Sequence, residues 1–317
     1  MEPINHLMLE AKKINKKIAV KAMLIFVLIA LGILALIVTI HNTVLTVFCF
    51  FALIITITAE AAYIISQKRK ILLYDMNPRL YYAVLHENKN QYNGREEDIG
   101  IFYFSGDYQN VITCTNALIA EKESKNKKFN NVNVLNNLCC SYFEMGDYEN
   151  AKRTIDYIKS LFADTKVNPK SVYSTVILPQ LDFMESFINC DFSKCLEVEN
   201  LLNAKLKKSN TFIARIKYYT ALAKYYYGDI TSAQNDFKEI LAFCPNLNYA
   251  NLASQYLSAM ENGEILTLNQ LDTNFKYKNT IHMSGNARVK KIKTKQIIWF
   301  VIWALLLALN LYFIVRY

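Results

Sequence analysis

The chain has 317 residues, 53% hydrophobic and 20% charged, with a net charge of +9, an apolar content high for a soluble protein of this size. Its seven cysteines, at 49, 114, 139, 140, 190, 195 and 244, include no Cys-x-x-Cys pair and define no disulfide framework. The charge is uneven: residues 1–70 carry +5, residues 271–317 carry +7 and the stretch between them carries −3, which argues against nucleic-acid binding despite the basic balance.

The first elements in chain order are apolar runs of membrane-spanning length. Residues 18–40, "IAVKAMLIFVLIALGILALIVTI", and 44–66, "VLTVFCFFALIITITAEAAYIIS", each hold one charged residue, Lys21 and Glu60. Such lengths match the roughly 30 Å hydrocarbon core of a bilayer. A cleaved signal peptide is the alternative, but its apolar region is usually about 7 to 15 residues. The polar "HNT" at 41–43 makes the pair a hairpin, and residues 1–70 are expected to form a basic N-terminus with a transmembrane hairpin.

Between residues 71 and 270 one short pattern recurs. Only eight glycines occur in the chain, and three of them, Gly106, Gly146 and Gly228, precede an aspartate. A degenerate copy, Cys190-Asp191, lies between the last two and gives spacings of 40, 44 and 38 residues. Around the second copy, Val134, Leu135, Leu138, Tyr142 and Met145 recur at helical spacing, as do Tyr148, Ala151, Ile155 and Ile158 after it. The glycine is expected to take a left-handed conformation at the end of one helix, with the aspartate capping the next. Gly-Asp therefore closes a helical hairpin. The polar segments 121–131, 164–170 and 204–210 are expected to be loops, and Pro78 to break or restart a helix. Residues 248–262 read as an amphipathic capping helix ending at Asn262-Gly263, and 264–295 as a patternless linker.

The copies resemble the tetratricopeptide repeat. The copy at 132–160 matches it through Leu135, Leu138, Cys139, Tyr142, Gly146, Asp147, Tyr148 and Ala151, with Ile155 in place of the aromatic. The copy at 214–245 matches through Ala221, Gly228, Asp229, Ala233, Phe237 and Pro245, with Lys224 in place of the tyrosine. The first copy keeps Phe102, Gly106, Asp107 and Tyr108, and the third keeps mainly Asp191 and Phe192. The resemblance covers roughly 92–245 and implies an all-α solenoid over 71–270. It also implies a concave groove for a protein or peptide partner, lined here by Asn133, Asn136, Phe143, Arg215, Tyr218, Tyr225 and Tyr226. The tyrosines and arginine suit an interface, and asparagine pairs with peptide amides.

A basic linker, 271–295, leads to a last apolar run, 296–317, expected to be a C-terminal transmembrane anchor with Trp299 and Trp303 at the interface. Lys12, Lys13, Lys16, Lys17, Lys68, Arg69, Lys70, Lys290, Lys291, Lys293 and Lys295 flank the runs. The positive-inside rule puts these residues, the N-terminus and the repeats on the cytoplasmic face, with the C-terminus outside. Each is expected to meet anionic lipid headgroups.

No motif for catalysis, metal or a cofactor occurs. There is no phosphate-cradling loop, no His-Glu-x-x-His and no Gly-x-Ser-x-Gly, and the four histidines stand apart at 6, 41, 86 and 282. The expectation is a non-enzymatic membrane-tethered scaffold or adaptor with no cofactor and no small-molecule substrate. The alternative is an accessory subunit of a transport, export or sensing complex in which the spans, with Glu60 and Asn310, carry the function. Abundant Asn, Lys, Ile and Tyr point to an A/T-rich bacterial gene.

Overall fold

The computed structural model describes residues 4–39, 43–87, 95–163, 171–203 and 209–271, and among them there are helices and no strand. The protein is all-α. It divides into two compact units, one comprising residues 1–69, 83–93 and 286–317 and the other residues 70–82 and 94–285. The expected anchor 296–317 and the lysines at 290–295 lie outside the described residues.

The first unit holds α1 (Ile4–Thr39) and most of α2 (Thr43–Leu73). Helix α1 starts at Ile4, so the lysine cluster expected to flank a span is itself helical. Its early turns dock through Asn15, whose Nδ2 donates to the Val84 carbonyl at 2.9 Å and to Glu87 Oε2 at 2.7 Å. Further along, α1 exposes Met23, Leu24, Leu28 and Leu31, and α2 exposes Phe48, Phe51, Ile54 and Ile55. Thr56 and Thr58 donate their hydroxyls to the Ala52 and Ile55 carbonyls, which satisfies two polar groups within α2 itself. One stretch among the described residues, Phe51–Leu73, is long and apolar enough to cross a membrane.

The second unit is built from hairpins. Helix α3 (Pro78–His86) begins on Pro78, where the missing N–H costs nothing. Four helix pairs follow. They are α4 (Arg95–Ser105) with α5 (Tyr108–Glu123), α6 (Val132–Glu144) with α7 (Tyr148–Ser160), α8 (Leu178–Ile188) with α9 (Phe192–Cys195), and, after the short α10 (Asn200–Asn203), α11 (Asn210–Tyr227) with α12 (Ile230–Phe243). A π-helical turn, Tyr173–Ile177, leads into α8.

All four turns share one geometry. Gly106, Gly146, Cys190 and Gly228 have φ of 80°, 72°, 58° and 97°. The next aspartate donates its N–H back to Phe102, Tyr142, Ser186 and Lys224 respectively, each at 2.9 Å. Its carboxylate then accepts the backbone N–H of Asn110, Asn150, Lys194 or Ser232 at 3.2–3.3 Å. The turn thus satisfies orphan carbonyls of one helix and an orphan N–H of the next. The Ser193 and Ser232 hydroxyls, with the backbone N–H groups of Lys194 and Ser232, hold the Asp191 and Asp229 carboxyls below the usual range.

Packing explains the spacing after each turn. The fourth residue beyond the left-handed position's aspartate, Val111, Ala151, Cys195 or Ala233, is fully buried in every copy. Cys195 therefore fills the small-residue slot of the degenerate copy. Four residues later Thr115, Ile155 and Phe237 are also fully buried. The third copy departs there, because its second helix tightens into a 3-10 turn, Leu196–Glu199, and buries Val198 instead.

Helix α13 (Asn248–Glu261) follows, and Asn262-Gly263 ends it with φ 71° at Gly263. It meets the first hairpin: Tyr249 Oη lies 2.9 Å from Tyr103 Oη, and Asn248 Nδ2 donates to Tyr108 Oη at 3.2 Å. The expected linker also departs from its reading. Residues 264–271 pack onto the helices, with Leu268 1% and Leu271 8% exposed.

Candidate functional site

The residues expected to line a groove are brought together, but mostly as interior. Asn136, Phe143, Arg215, Tyr218 and Tyr225 are buried, Tyr226 is half-buried and Asn133 is exposed. Helix α13 meets them through Tyr249, which contacts Arg215 and Tyr218, and residues 264–271 meet them through Leu266, which contacts Tyr225 and Tyr226.

At the centre is Arg215 on α11. Its Nε donates to Tyr249 Oη at 3.1 Å, Nη1 to Gln180 Oε1 at 3.0 Å and Nη2 to Asn137 Oδ1 at 3.3 Å. Its Cζ lies 4.6 Å from the Tyr103 ring centre and 5.3 Å from that of Phe104. Hydrogen bonds from every guanidinium nitrogen and two aromatic faces keep this cation buried without a paired carboxylate. Asn136 Nδ2 reaches the same Gln180 oxygen at 3.5 Å.

Glu144, the last residue of α6, is also fully buried, and neither carboxyl oxygen makes a hydrogen bond. Burial pushes its pKa up to about 8. Arg215 and the hydroxyls of Tyr219, Tyr218 and Tyr103 oppose the rise but close no aligned hydrogen bond. A helix C-terminus further disfavours a negative charge. Both effects favour the neutral, protonated form of Glu144. Sequence periodicity places Met145 on the inward stripe instead, yet Met145 is exposed. The available signal is that Glu144 lies four and eight residues after Cys140 and Asn136, on a face that is polar at both ends.

Around this centre the aromatic side chains interlock. Phe143 meets Phe183, Phe187 and Tyr219 edge-on at 5.1–6.0 Å, and Phe183 stacks on Tyr219 at 4.7 Å. Tyr218 stacks on Tyr249 at 5.1 Å. Farther along α11, Tyr225 and Tyr226 behave differently. Tyr225 Oη accepts the Leu266 N–H at 2.9 Å, and Tyr226 Oη donates to the Leu266 carbonyl at 3.1 Å.

Of the residues expected at lipid headgroups, Lys12, Lys13, Lys16, Lys17, Arg69 and Lys70 are exposed and Lys68 is half-buried. Among the described residues, no group of three or more His, Cys, Asp or Glu side chains gathers as metal ligands would. Comparison of the chain with protein-family models, with curated proteins and with solved structures finds no match.

Proposed function

We propose that the protein is a membrane-tethered scaffold or adaptor, whose tetratricopeptide-like stack of helical hairpins binds a protein or peptide partner at the cytoplasmic face. In this reading α1, α2 and the apolar run 296–317 anchor the chain, and the basic flanks lie against anionic headgroups. Supporting the anchor are the exposed apolar side chains of α1 and α2 and the apolar stretch Phe51–Leu73.

The observation that carries the binding half is the fourfold recurrence of one hairpin turn, at Gly106, Gly146, Cys190 and Gly228, each followed by a capping aspartate. Stacked hairpins bury little more than their neighbours require and leave long surfaces for recognition. Tethering at both ends would raise the local concentration of a partner near the bilayer.

The test is photocrosslinking in cells, before and after replacing 18–40, 44–66 and 296–317 with unrelated apolar spans. A membrane adaptor resists carbonate extraction and keeps its crosslinked cytoplasmic partner after the exchange. Extraction by carbonate, or loss of the partner with the native spans, would overturn the proposal; in the second case Glu60→Gln abolishing function would assign the role to the spans.

A further inference from the structure

Resting on the adaptor reading, we infer that residues 264–271 are a built-in occupant of the partner seat, and that the partner is an extended segment of the same chemistry that displaces them. The argument begins with how the strap is held. Tyr225 and Tyr226, adjacent on α11, hydrogen-bond the N–H and the carbonyl of a single residue, Leu266. Hydroxyls that read a main chain read it whatever the side chain is, as strand and peptide recognition do.

The seat is shaped for a backbone. Asn269 lies so close to the Gly146 turn that a Cβ on that glycine would come within 2.9 Å of the Asn269 Cβ and 3.2 Å of its N and Cα. Gly228 has the same left-handed geometry but nothing within 4 Å of its Cβ position. Gly146 therefore answers to the turn and to the strap together.

Few side chains anchor the strap itself. Leu268 and Leu271 are buried, whereas Ile265 is 82% exposed and Glu264, Thr267, Asn269 and Gln270 all face solvent. Its own structure is one 3-10 turn, Leu268–Gln270, closed by Thr267 and Gln270. A segment held by three leucines, one of them only half-buried, and a main-chain clasp can be exchanged for another of like kind. The displacing segment carries aliphatic residues at the Leu266, Leu268 and Leu271 positions and a small polar residue over Gly146.

The test uses the full-length protein in detergent and a fluorescein-labelled synthetic peptide of residues 261–272. The wild type should bind it at least tenfold more weakly than the Leu268→Asp, Leu271→Asp variant, whose strap is unseated. Adding Tyr225→Phe to that variant should cost about tenfold in Kd. Equal, weak binding by wild type and folded variant would overturn the inference. Hydrogen exchange on the wild type gives an independent reading that requires no variant. Amides of 264–271 should exchange at least a hundredfold faster than those of α11 and α12, and faster still with excess unlabelled peptide; exchange at the rate of the core would make the strap permanent structure and sink the idea. Peptide binding by the opened protein, with no crosslinked partner in cells, would uphold the seat and overturn the adaptor. A crosslinked partner with no peptide binding would do the reverse.

Discussion

Replacing Glu144 with glutamine should stabilise the protein at neutral and alkaline pH and leave it nearly unchanged in acid. Burial raises this carboxyl from 4.5 to about 8, so the folded state holds its proton more tightly than the unfolded state does. The contribution is fully present below pH 4.5, declines as pH rises and is lost above about 8. At about 1.4 kcal/mol per pH unit, the folded state loses about 3 kcal/mol by pH 7 and about 5 kcal/mol above pH 8, as an order of magnitude. Glutamine has the shape of the protonated acid and does not ionise, and Arg215 already stands without a paired anion. Nothing else facing Glu144 titrates in this window: burial raises the phenols of Tyr103, Tyr108, Tyr218, Tyr219 and Tyr249 and the Cys140 thiol, and Arg215 stays charged. Urea unfolding followed by near-ultraviolet tyrosine dichroism at pH 5 to 8 measures the difference between variant and wild type. The gap should widen in the variant's favour across that range. Parallel curves, or a variant less stable at pH 8, would show that Glu144 is ionised and paired.

The same unfolding assay checks the remaining predictions. Gly228→Ala should cost about 1 to 2 kcal/mol, the strain of a left-handed alanine, while Gly146→Ala should cost more, because Asn269 stands in the way. Cys190→Gly should stabilise by up to about 1 kcal/mol by relieving the one non-glycine turn. Asp147→Ala should lose about 1 kcal/mol with the α7 cap. Arg215→Ala should cost about 3 kcal/mol or more, since it leaves a cavity among buried rings and takes one hydrogen bond each from Gln180, Asn137 and the Tyr249 hydroxyl.

The hairpin turns are legible in the sequence because their physics is local. A left-handed residue before a capping aspartate leaves a Gly-Asp signature, and spacing alone locates the copy in which cysteine replaces glycine. The Cys195 slot is harder to see, since a buried cysteine and a buried alanine differ in name but not in the space they fill. Glu144 and Met145 are adjacent, and only packing decides which turns inward. The strap escapes detection for another reason: Leu266, Leu268 and Leu271 follow neither the helical nor the strand period, and Tyr225 and Tyr226 hold it through its main chain. The cluster of tyrosines at the end of α11 stands out in the sequence, while the segment of the same chain that Tyr225 and Tyr226 hold does not. The docking of Asn15 on Val84 and Glu87 is likewise a contact between distant segments, with no mark in local composition.

The most direct test of the account places a photoreactive phenylalanine at position 226 of the full-length protein in living cells. In the wild-type background it should crosslink within the chain to residues 264–271. With Leu268→Asp and Leu271→Asp it should crosslink to one cytoplasmic protein, and the peptide of residues 261–272 should compete for that product in opened cells. An unseated strap that yields only lipid or self-crosslinks, or a product the peptide leaves untouched, would contradict a partner seat guarded by the chain itself.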